Sequence, residues 1–147
     1  MKYLLGIDFG GGASKATLID TDGNIYKGKY APEDNLNCND RKYAAHCGGG
    51  NTGNIGVAIC GMWSKDYPIR RVQLEAACKL IAELATKYNI RITNEKILTH
   101  AEFGNKFPHT TSYGKIDINN LPCIAVYGVD NVGNWIRNKV VWYRSKM

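Results

Sequence analysis

The stretch THAEFGNKFPHTTSYGKID, residues 99–117, carries a histidine at the end of a predicted strand, followed further along by Lys115 and Asp117. A neutral imidazole and a carboxylate are both common zinc ligands. A lysine beside them could stabilise the oxyanion that forms when metal-bound water attacks an amide. The stretch therefore suggests that His100 and Asp117 bind a metal next to a cation. Judged by spacing alone, the alternative is a capped loop with a surface lysine.

Two further segments support the first interpretation. One is YAAHCGGGNTGNIGVAICG, residues 43–61, and the other is LIDTDGNIY, residues 18–26. A strand ending in an Asp-Gly turn, a His-Gly loop with a downstream asparagine, and an Ile-Gly strand occur together in one known family. With these features, residues 16–147 resemble the zinc-dependent N-acetylmuramoyl-L-alanine amidases of the phage-lysozyme and peptidoglycan-recognition superfamily.

This resemblance implies a fold and an activity. The fold class is α/β, with a mixed central β-sheet flanked by helices, in a single amidase-like domain over residues 1–147. The implied reaction is cleavage of the amide between N-acetylmuramic acid and L-alanine in bacterial peptidoglycan, with Zn²⁺ as cofactor. The zinc would polarise the carbonyl and lower the pKa of its bound water.

Matching positions assign roles to individual residues. By resemblance, His100 and Asp117 are zinc ligands and Lys115 stabilises the transition state. His46 matches a histidine near the groove that is not a zinc ligand, so we expect it to contact substrate or orient a neighbour, or to be a buried structural residue. Asn51 is assigned to substrate binding. His109 could be recruited to metal, although exposure to solvent is the simpler expectation.

Residues 1–15 depart from the family pattern. The family's remaining zinc ligand is a histidine on the first strand, and no histidine precedes His46. The family's tyrosine position falls near Lys15, and Ala58 stands where some relatives have a catalytic glutamate. Zinc sites normally use three protein ligands and leave a fourth position to water. Asp8 is the only first-strand candidate for the missing ligand, and the alternative is a catalytically inactive protein that binds peptidoglycan.

The opening also resembles a second family. LLGIDFGGGASKAT, residues 4–17, looks like the first hairpin of sugar kinases of the actin and hexokinase superfamily, whose glycines approach ATP phosphates. Nucleotide binding is therefore one alternative for this segment. A plain hairpin of two strands around a glycine-rich turn is another. A third is an unrelated coding segment joined to an amidase body.

Local patterns predict the individual elements. Strands are expected near residues 2–9, 15–20, 24–29, 54–60 and 96–99, and the Asp22-Gly23 turn joins two of them. Apolar residues at helical spacing predict one helix over 70–88 and a second from about Asn131 to Tyr143. We expect the polar loop 29–43 to border a cleft. The glycines of residues 48–50 would allow close approach to a glycan or peptide, or simply form a flexible turn.

Composition narrows the class of protein. The chain has 147 residues, 44% of them hydrophobic, which suffices for one buried core. No apolar run is long enough to span a bilayer, and the N-terminus lacks a signal-peptide pattern, so we expect cytoplasmic synthesis and release to the wall by another component. Five cysteines without a CxxC pair predict reduced thiols. The net charge of +6 is scattered, which argues against nucleic-acid binding, and we expect a monomer.

Overall fold

The computed structural model describes residues 4–9, 17–61 and 68–147, with backbone alone for residues 4–9. Within these ranges, the main sheet has five strands in the order β3-β2-β4-β1-β5. The strands are β1 (Leu4–Phe9), β2 (Thr17–Ile19), β3 (Ile25–Lys27), β4 (Asn54–Ile59) and β5 (Ile97–Thr99). Strands β2, β4, β1 and β5 run parallel, and β3 pairs antiparallel with β2. The mixed sheet predicted from the sequence is confirmed.

Three α-helices accompany this sheet in the described residues: α1 (Arg71–Lys87), α2 (His100–Lys106) and α3 (Val129–Arg144). A short hairpin of β6 (Asn120–Leu121) and β7 (Val126–Tyr127) precedes α3. Single 3₁₀ turns occupy Pro32–Leu36 and Pro122–Ile124. The domain is therefore an α/β fold with helices packed on its central sheet.

Helix α1 forms because alanine and leucine favour helix and because its apolar residues fall on one face. Leu74, Ala77 and Ile81 on that face are buried against the sheet. At the N-terminus, the side chain of Gln73 accepts from the Arg70 N–H at 3.0 Å and donates to the Cys60 carbonyl at 2.7 Å. Gln73 is fully buried, so it fixes the start of α1 against the residue that follows β4.

The hydrophobic core lies between the sheet and helices α1 and α3. It includes Ile55, Val57 and Ile59 of β4, which is buried along its whole length, together with Ile136 and Val140 of α3. Strand β3 is exposed at the edge of the sheet. Because β4, β1 and β5 are interior or covered, their carboxyl ends are the part of the sheet best placed to support a rigid site.

The predicted hairpin between the first two strands is wrong. Strand β4 lies between β1 and β2 and pairs in parallel with both of them. A hairpin requires adjacent antiparallel strands, so neither the sugar-kinase hairpin nor the plain hairpin describes this pairing. The glycine-rich residues 10–16, on which the nucleotide-binding alternative depends, lie outside the described residues.

The helices differ from expectation in two places. Helix α2 was not predicted, although the capping-box pattern of Thr99 and Glu102 is present in the sequence. Helix α3 begins at Val129, two residues before the predicted cap at Asn131. The Asn131 amide instead donates to the Tyr127 carbonyl at 3.0 Å, which joins the first turn of α3 to β7.

All five cysteines are free thiols. Burial in the core raises the pKa of the Cys78 thiol to about 12, which keeps it neutral at physiological pH. Within the described parts of the chain, no helix combines the length and apolar character needed to cross a membrane.

Candidate active site

The junction between β5 and α2 places His100. Thr99 ends the strand and caps the helix: its hydroxyl accepts from the Glu102 N–H at 3.1 Å, and its own N–H donates to the Glu102 carboxylate at 3.0 Å. This reciprocal capping box lets the chain turn from strand to helix without an intervening loop. His100 is thereby fixed as the first helical residue, at the carboxyl end of a fully buried strand.

Both ring nitrogens of His100 contact the loop that follows α2. Nδ1 lies 3.0 Å from Asp117 Oδ2, and Nε2 lies 3.0 Å from Ser112 Oγ. The imidazole is 10% exposed and the carboxylate 17% exposed, so the pair is mostly shielded from water. The Ala101 N–H donates to the Asp117 carbonyl at 2.8 Å, which ties the loop backbone to the first turn of α2.

The hydrogen bonds of Ser112 determine which ring nitrogen carries a proton. Its hydroxyl donates to the Gly48 carbonyl at 2.7 Å, so its oxygen can only accept from His100 Nε2. His100 therefore carries a proton on Nε2. Its Nδ1 faces Asp117 Oδ2, and the close approach of these two basic atoms calls for a proton or a metal cation between them. The 3.0 Å contact between Nδ1 and Oδ2 is compatible with either of these.

A glycine-rich loop supports Ser112 from the other side. A Cβ on Gly48 would lie 1.9 Å from Thr111 Oγ1, and one on Gly50 would lie 2.4 Å from the Phe103 ring. Gly49 has a φ of +82° and packs against Thr110. These glycines therefore allow close approach to the chain's own residues, and the contact with a glycan or peptide stays a prediction.

A buried ion pair lies behind the first turn of α2. Arg137 of α3 donates to both oxygens of Glu102, at 3.0 and 2.9 Å, and also to the Ile97 carbonyl at 2.8 Å and to Asn134 Oδ1 at 3.0 Å. Each side chain of the pair is 9% exposed. Since Glu102 also belongs to the Thr99 capping box, the ion pair joins α3 directly to the junction that carries His100.

This arrangement can be compared with known families. Residues 6–115 match the N-acetylmuramoyl-L-alanine amidase family. The chain belongs to this amidase family. The match includes His46, Asn51, His100 and Lys115, and it ends two residues before Asp117. No match to the chain is found among curated proteins.

His46 and Asn51 lie in the part of the chain that matches the amidase family. His46 is buried, with Nδ1 3.1 Å from the Ala44 carbonyl, and its ring packs on Gly56 of β4. Asn51 Oδ1 accepts from the N–H groups of His46 and Cys47 at 2.8 and 3.0 Å. Both residues therefore help to hold the shape of the loop that presents the Gly48 carbonyl to Ser112.

Lys115 and Asp8 are the remaining residues of the site predicted from the sequence. Lys115 is exposed on the loop that carries Asp117, and its N–H donates to the Ser112 carbonyl at 3.2 Å. In β1, Ile7 is in register with Thr99, so the backbone of Asp8 lies at the carboxyl end of the sheet, alongside the start of α2. The Asp8 side chain lies outside the described residues. His109 is exposed, as expected.

The sequence analysis missed Ser112, Glu102 and Arg137. Ser112 falls in a polar turn with no motif of its own, and its burial depends on packing against Gly104 of α2. The capping-box pattern was a signal for Glu102. Arg137 falls on the buried stripe of α3 beside Ile136, where a charged residue in an apolar stripe indicates a buried partner.

Proposed function

We propose that this protein is a zinc-dependent peptidoglycan hydrolase that cleaves the amide between N-acetylmuramic acid and L-alanine, acting as a monomer. The observation that carries the proposal is the pairing of His100 Nδ1 with Asp117 Oδ2 at 3.0 Å, with Ser112 accepting from the other ring nitrogen. Membership of the amidase family supports the reaction class.

The pair is compatible with zinc on two grounds. Two atoms bound to one tetrahedral zinc at 2.0–2.1 Å lie about 3.3 Å apart, close to the observed separation. Zinc-binding histidines also usually donate their other N–H to a neighbouring acceptor, which is the role of Ser112. We propose that His100, Asp117 and Asp8 hold the ion. When bound, zinc would polarise the scissile carbonyl and activate a water molecule.

The remaining roles belong to protein groups. The Lys115 ammonium would donate to the carbonyl oxygen of the scissile amide as that oxygen gains negative charge, and so stabilise the transition state. The Ser112 hydroxyl would keep the His100 ring in one orientation through the reaction. We propose that the loop of His46 and Asn51 contributes to substrate binding through its backbone, since both side chains already bond within the loop.

Muropeptide analysis of digested, purified peptidoglycan tests this function. Zinc-loaded protein is expected to release free stem peptides with a new L-alanine amino terminus. Lys115→Ala is expected to lower turnover by about 10²–10³-fold while bound zinc is retained, because one oxyanion donor is lost. Lys106→Ala, an exposed lysine at the end of α2, is the matched control. Undiminished turnover in Lys115→Ala would exclude this lysine from the mechanism.

One observation favours a second candidate, a protein of the same fold that binds peptidoglycan without cleaving it. Among residues 17–61 and 68–147, no group of three His, Cys, Asp or Glu residues could hold a metal ion. Two ligands alone would bind zinc weakly. Metal analysis of the purified protein separates the candidates: substoichiometric zinc, saturable muropeptide binding and no cleavage would indicate the binding protein.

A further inference from the structure

The solvent-facing side of α3 carries an unusual set of side chains. Asn131, Asn134, Trp135 and Asn138 follow the spacing i, i+3, i+4, i+7, which places them on one face of the helix. With Tyr127 of β7, they form what we call the Asn-Trp face. A wide, open cleft of about 600 Å³ lies between this helix and β7.

Two of the amides are oriented by hydrogen bonds within the protein. Asn131 Nδ2 donates to the Tyr127 carbonyl at 3.0 Å, and the side-chain oxygen can act as an acceptor. Asn134 Oδ1 accepts from Arg137 at 3.0 Å, which leaves its NH₂ group as a donor. Asn138 is exposed and offers both functions. The face therefore presents donors and acceptors in fixed positions beside two aromatic rings.

Helix propensity does not account for Asn138. Asparagine is less favourable than alanine in a helix by up to about 0.7 kcal/mol. Hydrogen bonds to the Tyr127 carbonyl and from Arg137 offset this cost for Asn131 and Asn134. Asn138 is exposed, so core packing does not offset its cost. The exposed positions of α1 carry no asparagine and instead include Lys79, Glu83 and Lys87. An exposed asparagine in the middle of a helix, with no gain from core packing, fits a surface that binds a ligand.

The uncharged amides and aromatic rings of the Asn-Trp face indicate which class of ligand fits it. None of the residues that line the cleft is ionised, although the chain carries a net charge of +6. The nearby Lys139 is engaged elsewhere, 3.4 Å from Glu75 and over the Trp142 ring. A neutral face argues against a polyanion such as nucleic acid. Amides match the hydroxyl groups of a sugar, and aromatic rings pack on its apolar C–H face.

We propose that the Asn-Trp face is a binding site for a neutral oligosaccharide, separate from the pair of His100 and Asp117. Tyr127, exposed by 57%, and the partly buried Trp135 would pack on sugar rings, while the three asparagines bond to hydroxyl and acetamido groups. This site does not depend on amide hydrolysis, and it would hold a glycan whether or not the amidase site is active.

Titration with the β-1,4-linked tetrasaccharide of N-acetylglucosamine, followed by NMR, tests the proposal. Saturable binding is expected, and Tyr127→Ala and Asn138→Ala are each expected to lower the affinity at least tenfold. Tyr26→Ala and Asn94→Ala replace exposed residues of the same types outside the face, so they should leave the affinity unchanged. Asn138→Ala should be at least as stable as the parent protein, which separates lost binding from lost folding.

Other results also support or overturn the proposed saccharide site. Binding should persist in the double variant His100→Ala and Asp117→Asn, because neither of these residues lines the cleft. The proposal is overturned if the tetrasaccharide does not bind, if Asn138→Ala binds it as tightly as the parent, or if the double variant loses it. Binding of a proline-rich peptide at this face without any saccharide binding would also overturn it.

Discussion

Two acid–base pairs lie beside the first turn of α2, and they differ in their hydrogen bonding. On the side facing α3, Glu102 and Arg137 form a bidentate ion pair, and the two terminal guanidinium nitrogens also donate to the Ile97 carbonyl and to Asn134 Oδ1. On the other side, the proton of Ser112 goes to the Gly48 carbonyl, so the imidazole must donate from Nε2. His100 Nδ1 and Asp117 Oδ2 therefore meet as a pair that requires a proton or a cation between them.

From this difference we propose that the pair of Glu102 and Arg137 is structural and the pair of His100 and Asp117 functional. The charges of Glu102 and Arg137 cancel within the pair, and the remaining hydrogen bonds go to the neighbouring backbone and to Asn134. Such a pair fixes geometry and needs no further ligand. We propose that the pair of His100 and Asp117 accepts a cation, and the first turn of α2 connects the two pairs. Breaking each pair separately should therefore give two distinct losses, one of folding and one of metal binding.

The largest expected effect comes from removing Arg137. Arg137→Ala would leave the Glu102 carboxylate buried without its charged partner, and breaking a buried pair in this way costs about 3–5 kcal/mol of the free energy of unfolding. Urea denaturation measures this cost. Arg70→Ala removes an exposed pair with Asp22 and should cost less than about 1 kcal/mol. Equal costs for the two variants would contradict the structural role of the buried pair.

Zinc should stabilise the parent protein through the other pair. At free zinc 100 times its dissociation constant, the free energy of unfolding should rise by about 2.7 kcal/mol, and chelation with EDTA should remove that gain. Asp117→Asn is expected to abolish most of it, because a neutral amide is a poor zinc ligand. Thermal melts with and without zinc measure the effect.

His109→Ala serves as the control for this experiment. His109 is an exposed histidine in the loop that follows α2. Its removal should leave the zinc-dependent stabilisation unchanged. If the stabilisation survives Asp117→Asn but disappears in His109→Ala, the metal binds elsewhere on the chain. That result would refute zinc binding by His100 and Asp117.

The sequence could predict one of these pairs but not the other. His100, Lys115 and Asp117 are residue types with recognisable chemistry, and a family resemblance assigns them roles. The helical patterns of α1 and α3 and the Asp22-Gly23 turn are local, so they too could be predicted. The partners of Ser112 and Arg137 are 64 and 35 residues away in the chain, and no local pattern encodes such contacts.

The order of the strands was unpredictable for the same reason. A glycine-rich segment between two apolar runs is a local hairpin signal. Placing β4 between β1 and β2 depends on burying all six residues of β4, which requires neighbours on both sides. Tertiary burial therefore overrides the local preference for a hairpin.

Replacing Ser112 tests how strongly zinc binding by His100 and Asp117 depends on the hydrogen bond between Ser112 and His100. Ser112→Ala removes the acceptor of the His100 Nε2 proton, and loss of such a partner typically weakens metal affinity by about 10–100-fold. Isothermal titration with zinc measures the change. Ser145→Ala, which removes an exposed serine hydroxyl near the end of α3, is the matched control. Unchanged zinc affinity in Ser112→Ala would mean that Asp117 alone orients the imidazole.

The smallest effect is expected at the junction that both pairs share. Thr99→Ala deletes the side-chain cap of α2 and should cost about 1 kcal/mol of the free energy of unfolding. Thr86→Ala is the control, since that hydroxyl bonds within α1 to the Ala82 carbonyl and contributes little. Because the cap fixes the turn that carries His100 and Glu102, Thr99→Ala should also weaken zinc binding in the same titration. A loss of stability with unchanged zinc affinity would show that the two pairs are independent.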